Sequence, residues 1–95
     1  MIMPQVVHKE DLHRFELEVE GAVAFIEYKV KKPDVFAFVH TLVPDAHKGK
    51  GVASQLTKGA FEWCRDHGVQ IIPVCPFIVT FVKRHPEWND LIHEG

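Results

Sequence analysis

Apolar and polar residues change rhythm several times along the chain, and each change marks an element. From Arg14 to Glu20 the run RFELEVE alternates Phe15, Leu17 and Val19 against Glu16, Glu18 and Glu20, the period of two that a strand with one buried face requires. Gly21 breaks the run, and Ala22 to Val30 (AVAFIEYKV) is again rich in β-branched and aromatic residues, which predicts a hairpin. KKPD at Lys31 to Asp34 reads as a turn, because Pro33 fixes its own φ and Asp34 can bond nearby backbone. Val35 to Val43 (VFAFVHTLV) is apolar almost throughout, the pattern of a central strand covered on both faces, and Pro44 ends it.

From Val52 the period lengthens to that of a helix. Ala53, Leu56, Ala60 and Cys64 share one stripe, with Phe61 and Trp63 beside it and Lys58, Glu62 and Arg65 on the other side. Arg65 and His67 suit the negative end of the helix dipole, and Gly68 supplies a left-handed residue that stops it near Asp66. Val69 to Cys75 (VQIIPVC) reads as a short strand, so Val35 to Cys75 forms strand, helix, strand, a crossover that favours parallel pairing. Pro76 opens a second helix with Phe77, Phe81 and Val82 inward, closed by His85-Pro86, and EWNDLIHEG adds a helical turn. The fold class is therefore α/β, or more closely α+β: a mixed sheet of antiparallel strands plus one parallel strand, with two main helices.

Composition narrows the picture. With 95 residues, 46% hydrophobic and 25% charged, the chain is expected to form one soluble globular domain over residues 1–95. A net charge of −2 and a pI of 6.4 lack the basic balance of a nucleic-acid binder. Cys64 and Cys75 have neither CxxC nor Cys/His ligand spacing, so no metal site and no disulfide framework is expected, and a reducing cytoplasm fits. No signal peptide or membrane-spanning run is expected. Among the histidines, His8, His13, His67 and His93 read as solvated and His85 as a helix cap. Cys64, Trp63 and Trp88 read as core and packing residues.

The chemistry concentrates in PDAHKGKGVASQL, residues 44 to 56. Gly49 and Gly51 free the backbone to approach an anion just ahead of a helix N-terminus, and His47, Lys48 and Lys50 add charge at the same point. A pyrophosphate fits such a loop; so does a plain strand-to-helix corner that needs glycine. A nucleotide P-loop does not fit, because GxxxxGK[ST] is missing, and Ser54 stands where GxGxxG would place its third glycine.

VPDAHKGKGVASQLTKGAFEW after an apolar strand resembles motif A of the Gcn5-related N-acetyltransferases. With His40-Thr41, PVCPF at Pro73 to Phe77 and HPEW at His85 to Trp88, the likeness is to the short, roughly 90-residue branch of that superfamily and extends from about Phe15 to Leu91. The resemblance implies a minimal acetyltransferase fold in which the strands Val35 to Val43 and Val69 to Cys75 splay, with acetyl-coenzyme A as co-substrate inserted between them. Pro73 and Pro76, lacking N–H groups, give a local reason for such a splay. Gly49 and Gly51 match the motif glycines, so the amides of His47, Lys48, Gly49, Lys50, Gly51, Val52 and Ala53 would cradle the diphosphate, and Leu42 and Val43 would bond the pantetheine arm. Ala46 stands where the superfamily has Gln or Arg, and Leu42 where many relatives have a carboxylate.

Acetyl transfer needs a neutral amine, a held oxyanion and an acid for the departing thiolate. His40 is the nearest titratable substitute for the missing base. Cys75, as N-cap of the second helix, would favour the thiolate; it can serve as the acid or accept the acetyl group itself. The implied activity is N-acetylation of an amine, on a small molecule or a protein. The acceptor site is left open, or completed by a partner or by a second copy in a homodimer, and Glu16, Glu18 and Glu20 offer a cationic amine an acidic strand face. A non-catalytic acyl-coenzyme A module is the competing class.

Overall fold

The computed structural model describes residues 5–49 and 51–93. Five strands form one sheet in the order β1 (Val7–Lys9), β2 (Arg14–Val19), β3 (Ala22–Lys32), β4 (Val35–Leu42) and β5 (Gln70–Pro73). The first four pair antiparallel and β5 joins β4 in parallel, the mixed sheet that the alternating pattern predicts. Helix α1 (Val52–Asp66) follows β4, and α2 (Pro76–Arg84) follows β5. Three short 3-10 segments, Glu10–Leu12, Asp45–His47 and Pro86–Leu91, join or close these elements.

One hydrophobic core lies between the sheet and both helices. Phe15 and Leu17 of β2, Ile26 and Tyr28 of β3, and Phe36 and Phe38 of β4 meet Leu56, Ala60, Phe61 and Cys64 of α1 and Ile78 and Phe81 of α2. Phe61 ties these layers together, with its ring centroid 5.7 Å from Phe38, 5.4 Å from Phe81 and 5.7 Å from Trp88, distances at which edge-on aromatic pairs add to area burial. Cys64 is fully buried, and that burial pushes its thiol pKa up to about 12. It is a packing residue.

The boundaries depart from the pattern in instructive places. β3 runs on to Lys32, beyond Val30, because Lys31 is an extra residue opposite β4: Val30 pairs with Phe36 and Lys32 with Val35. β4 is buried on both faces only from Val35 to Phe38; past that point exposure alternates. β5 is four residues long, shorter than Val69 to Cys75. The strand β1 carries no alternating signal and is visible only through its pairing with β2.

That pairing corrects the reading of His8 as solvated. Its ring stacks on Phe15 at 4.4 Å, meets Trp63 edge-on at 4.1 Å, and shares a 2.6 Å hydrogen bond with the Tyr28 hydroxyl. Burial lowers the His8 pKa against the opposing field of Glu10, and burial raises that of Tyr28 to about 12. His67 stacks on Trp63 at 4.0 Å, so this end of the molecule is closed by packed aromatic rings. His93 is also half-buried rather than solvated, its main-chain N–H donating to Ile71 O at 2.8 Å. His85 sits at the C-cap of α2, its N–H donating to Phe81 O and Val82 O, as expected of a helix end.

Candidate active site

The opposite end of β4 is open, for two local reasons. The first is the early end of β5. The parallel ladder stops at Phe38 opposite Pro73, after which the N–H groups of Val74 and Cys75 both donate to Phe38 O, at 3.1 and 2.9 Å. Pro73 has no N–H to continue the ladder and Pro76 starts a helix. From Val39 to Leu42, β4 is flanked by β3 on one edge and by no described strand on the other.

The second reason is a bulge. Glu27 pairs with His40 and Tyr28 with Phe38, leaving Val39 as an extra residue in β4. A bulge reverses the alternation beyond it. Phe36 and Phe38 face the helices, but past Val39 it is Thr41, opposite buried Ile26, that takes that side, while His40 and Leu42 turn to the outer face with Glu27 and Phe25. Strict alternation would place His40 with Phe36 and Phe38. Its ring instead lies exposed, 6.2 Å from Phe25.

After β4 the chain turns through Asp45–His47 and enters α1 by two glycines with left-handed backbone, Gly49 at φ 82° and Gly51 at φ 75°. Gly51 is the N-cap of α1, no side chain caps the helix, and its first turn holds no acidic residue. The first N–H groups of a helix lack internal acceptors. A Cβ at Gly49 or Gly51 would have open space around it; only the positive φ selects glycine there.

A cleft of 380 Å³ occupies this junction. Of the residues anticipated for cofactor binding, Val43, His47, Lys48, Gly49, Gly51, Val52 and Ala53 all line it. Lys50 lies outside the described residues. Leu42 points away, 44% exposed on the outer face, leaving its main chain as the part that can serve the cleft edge. Thr41, Ser54 and Phe77 also line the cleft, and pattern reading missed each of them as site residues. Thr41 is delivered by the bulge. Phe77 was expected inward, but Ile78 and Phe81 fix the buried face of α2, so Phe77 stands at its rim, 36% exposed.

Cys75 sits at the N-cap of α2 with extended backbone, φ −62° and ψ 132°, and is 8% exposed. Its thiol does not cap the helix. It donates instead to Thr41 Oγ1, a long contact of 3.5 Å across the gap where β5 leaves β4. Cys75 and His40 are thus on opposite faces of the same strand end and are not in contact.

His47 is the most unusual polar residue here. It is 6% exposed, yet its Nδ1 has no hydrogen-bond partner; a carboxylate oxygen, Glu20 Oε2, lies 3.8 Å away. Lys48 pairs with Asp45 at 3.0 Å. Among the described residues no cluster of His, Cys, Asp and Glu could hold a metal ion, and no helix is long and apolar enough to cross a membrane.

A family model described as GCN5-related N-acetyl-transferase matches residues 14–91. Protein NATD1 of Gallus gallus is 31% identical over 86% of this chain and 76% of its own length, and Protein NATD1 of Homo sapiens 30% identical over 86% and 74%. The solution structure of a GCN5-like protein from Staphylococcus aureus superposes with a TM-score of 0.71 at 25% identity, covering 94% of this chain and 87% of that one.

Proposed function

Since the chain belongs to the GCN5-related N-acetyltransferase family, we propose that it transfers the acetyl group of acetyl-coenzyme A to an amine. One observation carries the reading: the edge of β4 left free beyond Phe38 leads into the glycine cleft. An extended amide-bearing arm needs such an edge, and a diphosphate needs such a helix entrance. The buried His47 ring on the cleft wall and the open space at Gly49 and Gly51 fit an anionic guest.

In this reading the amides from His47 to Ala53 hold the diphosphate, with Lys48 adding charge. The main chain of Leu42 and Val43 binds the pantetheine arm. The acceptor approaches from the outer face, where His40 takes a proton from the incoming ammonium. The free amine attacks the acetyl carbonyl carbon and the C–N bond forms; the nitrogen then gives its surplus proton to solvent, the C–S bond breaks, and the electron pair leaves with the sulfur. Cys75, on the other face, gives the departing thiolate its proton, or itself takes the acetyl group first and passes it on. Holding the reacting groups together supplies much of the acceleration, which suits a site without a fixed carboxylate at Leu42.

The test combines free-thiol release over a panel of amines with intact mass after fast quenching. Transfer predicts amine-dependent thiol release that falls about 100-fold in Cys75→Ala, as loss of a general acid does. A 42 Da adduct confined to Cys75, about the mass of an acetyl group, marks the covalent route. Coenzyme binding with no release above background for any amine would contradict the enzyme and favour an acyl-coenzyme A binding module, a reading that Leu42 in place of a carboxylate keeps open.

A further inference from the structure

Glu20 occupies a backbone position that suits it poorly. Val19 pairs with Ala22, so Glu20 and Gly21 alone form the β2–β3 turn, with φ of 50° and 82°. Two consecutive positive φ values define a type I′ turn, which favours Asn-Gly or Asp-Gly. A longer side chain with a Cβ is strained in the left-handed region. Local backbone preference therefore gives no reason for glutamate.

The neighbour across the loop gives one. Glu20 Oε2 lies 3.8 Å from Nδ1 of His47, the buried ring atom without a hydrogen-bond partner. That distance is too long for a hydrogen bond, and a buried polar atom left unpaired is costly. On the turn that carries His47, Asp45 and Lys48 pair with each other at 3.0 Å. The first turn of α1 contributes no acid, the cleft-lining residue of α2 is Phe77, and Lys50 lies outside the described residues.

We propose that Glu20 is a positioning residue for the cleft. When an anion enters, Glu20 closes on Nδ1–H of His47, so that the ring is held between the carboxylate on one side and the diphosphate on the other. The strain at Glu20 is retained because the carboxylate is needed at that turn, the pattern of backbone outliers at ligand sites. This inference rests on the reading of the cleft as a coenzyme A site.

Glu20→Asn separates the two roles by sign. Asparagine suits the turn better, so at pH 8 the variant is expected to melt about 4 °C or more above the wild type, the shift that roughly 1 kcal/mol gives in a domain this size. Its affinity for coenzyme A, measured by calorimetry at pH 7, is expected to fall about fivefold, the scale of one hydrogen bond. Glu20→Gln, which keeps side-chain length, should lose affinity alike, and neither change should add to the loss in His47→Gln. Unchanged affinity in Glu20→Asn would overturn the inference while leaving the coenzyme site intact. So would a lower melting temperature, which would make Glu20 a residue of the fold. A wild-type protein that bound no coenzyme A would overturn the functional reading as well.

Discussion

His8 is half-buried at the packed end of the molecule and His47 is buried at the open end, and only the first has its ring bonded by the protein. His8 is stacked between aromatic rings and bonded to Tyr28; His47 lines a cleft with one nitrogen unpaired. The backbone around them differs in the same way. At the packed end β4 has a strand on each edge and rings of Phe15, Tyr28, Phe36 and Trp63 above it. At the cleft end β5 has departed, a bulge has turned β4 over, and two left-handed glycines leave helix amides uncovered. A polar group with every partner supplied by the protein stabilises the fold, whereas one left short marks where a ligand completes it.

The contrast can be broken most heavily inside the packed region. Gly59 lies within α1 beneath Val6, whose Cβ would stand 2.7 Å from an added Cβ. Gly59→Leu is expected to cost about 1–3 kcal/mol by overpacking, read as a fall in melting temperature, while coenzyme A affinity in the cold stays near wild type. Equal loss of both would mean the two ends are not separable. Gly51→Val acts in the reverse sense: it strains one left-handed position by about 1–2 kcal/mol and crowds the amides that would hold a diphosphate. Calorimetry should show coenzyme A binding weakened about tenfold or more, since 1.4 kcal/mol is one decade, and unaltered binding would remove the glycine loop from the site.

The smallest effect sharpens the histidine comparison. Burial lowers the His8 pKa, so between the usual imidazole value of about 6.5 and its folded value the unfolded chain binds more protons than the folded one. Stability should therefore decline as pH falls below about 6.5, and His8→Gln should flatten that part of the profile. Chemical denaturation from pH 8 to pH 5 measures it. A wild-type profile that rises on acidification would contradict the packed-end account.

Much of this organisation was legible in the chain. Alternation in RFELEVE and the stripe through Leu56, Ala60 and Cys64 locate the strands and the helix, because each depends on burial of one face. The glycines of HKGKGVA mark the cleft, because positive φ leaves few other choices. What escaped depends on contacts distant in sequence. β1 is specified by its partner strand, His8 by rings brought from four other elements, and Thr41 by an extra residue that only the pairing with β3 reveals. Glu20 looked like one more member of an acidic strand face; its backbone angle and its distance to His47 set it apart.

Amide and ring chemical shifts followed by NMR during titration with acetyl-coenzyme A test the central claim most directly. The account predicts the largest changes at Thr41, Val43, His47 to Gly49, Gly51 to Ala53 and Cys75, with the His8 and Trp63 ring signals nearly still. Changes centred on the aromatic end, or none anywhere at millimolar ligand, would contradict it.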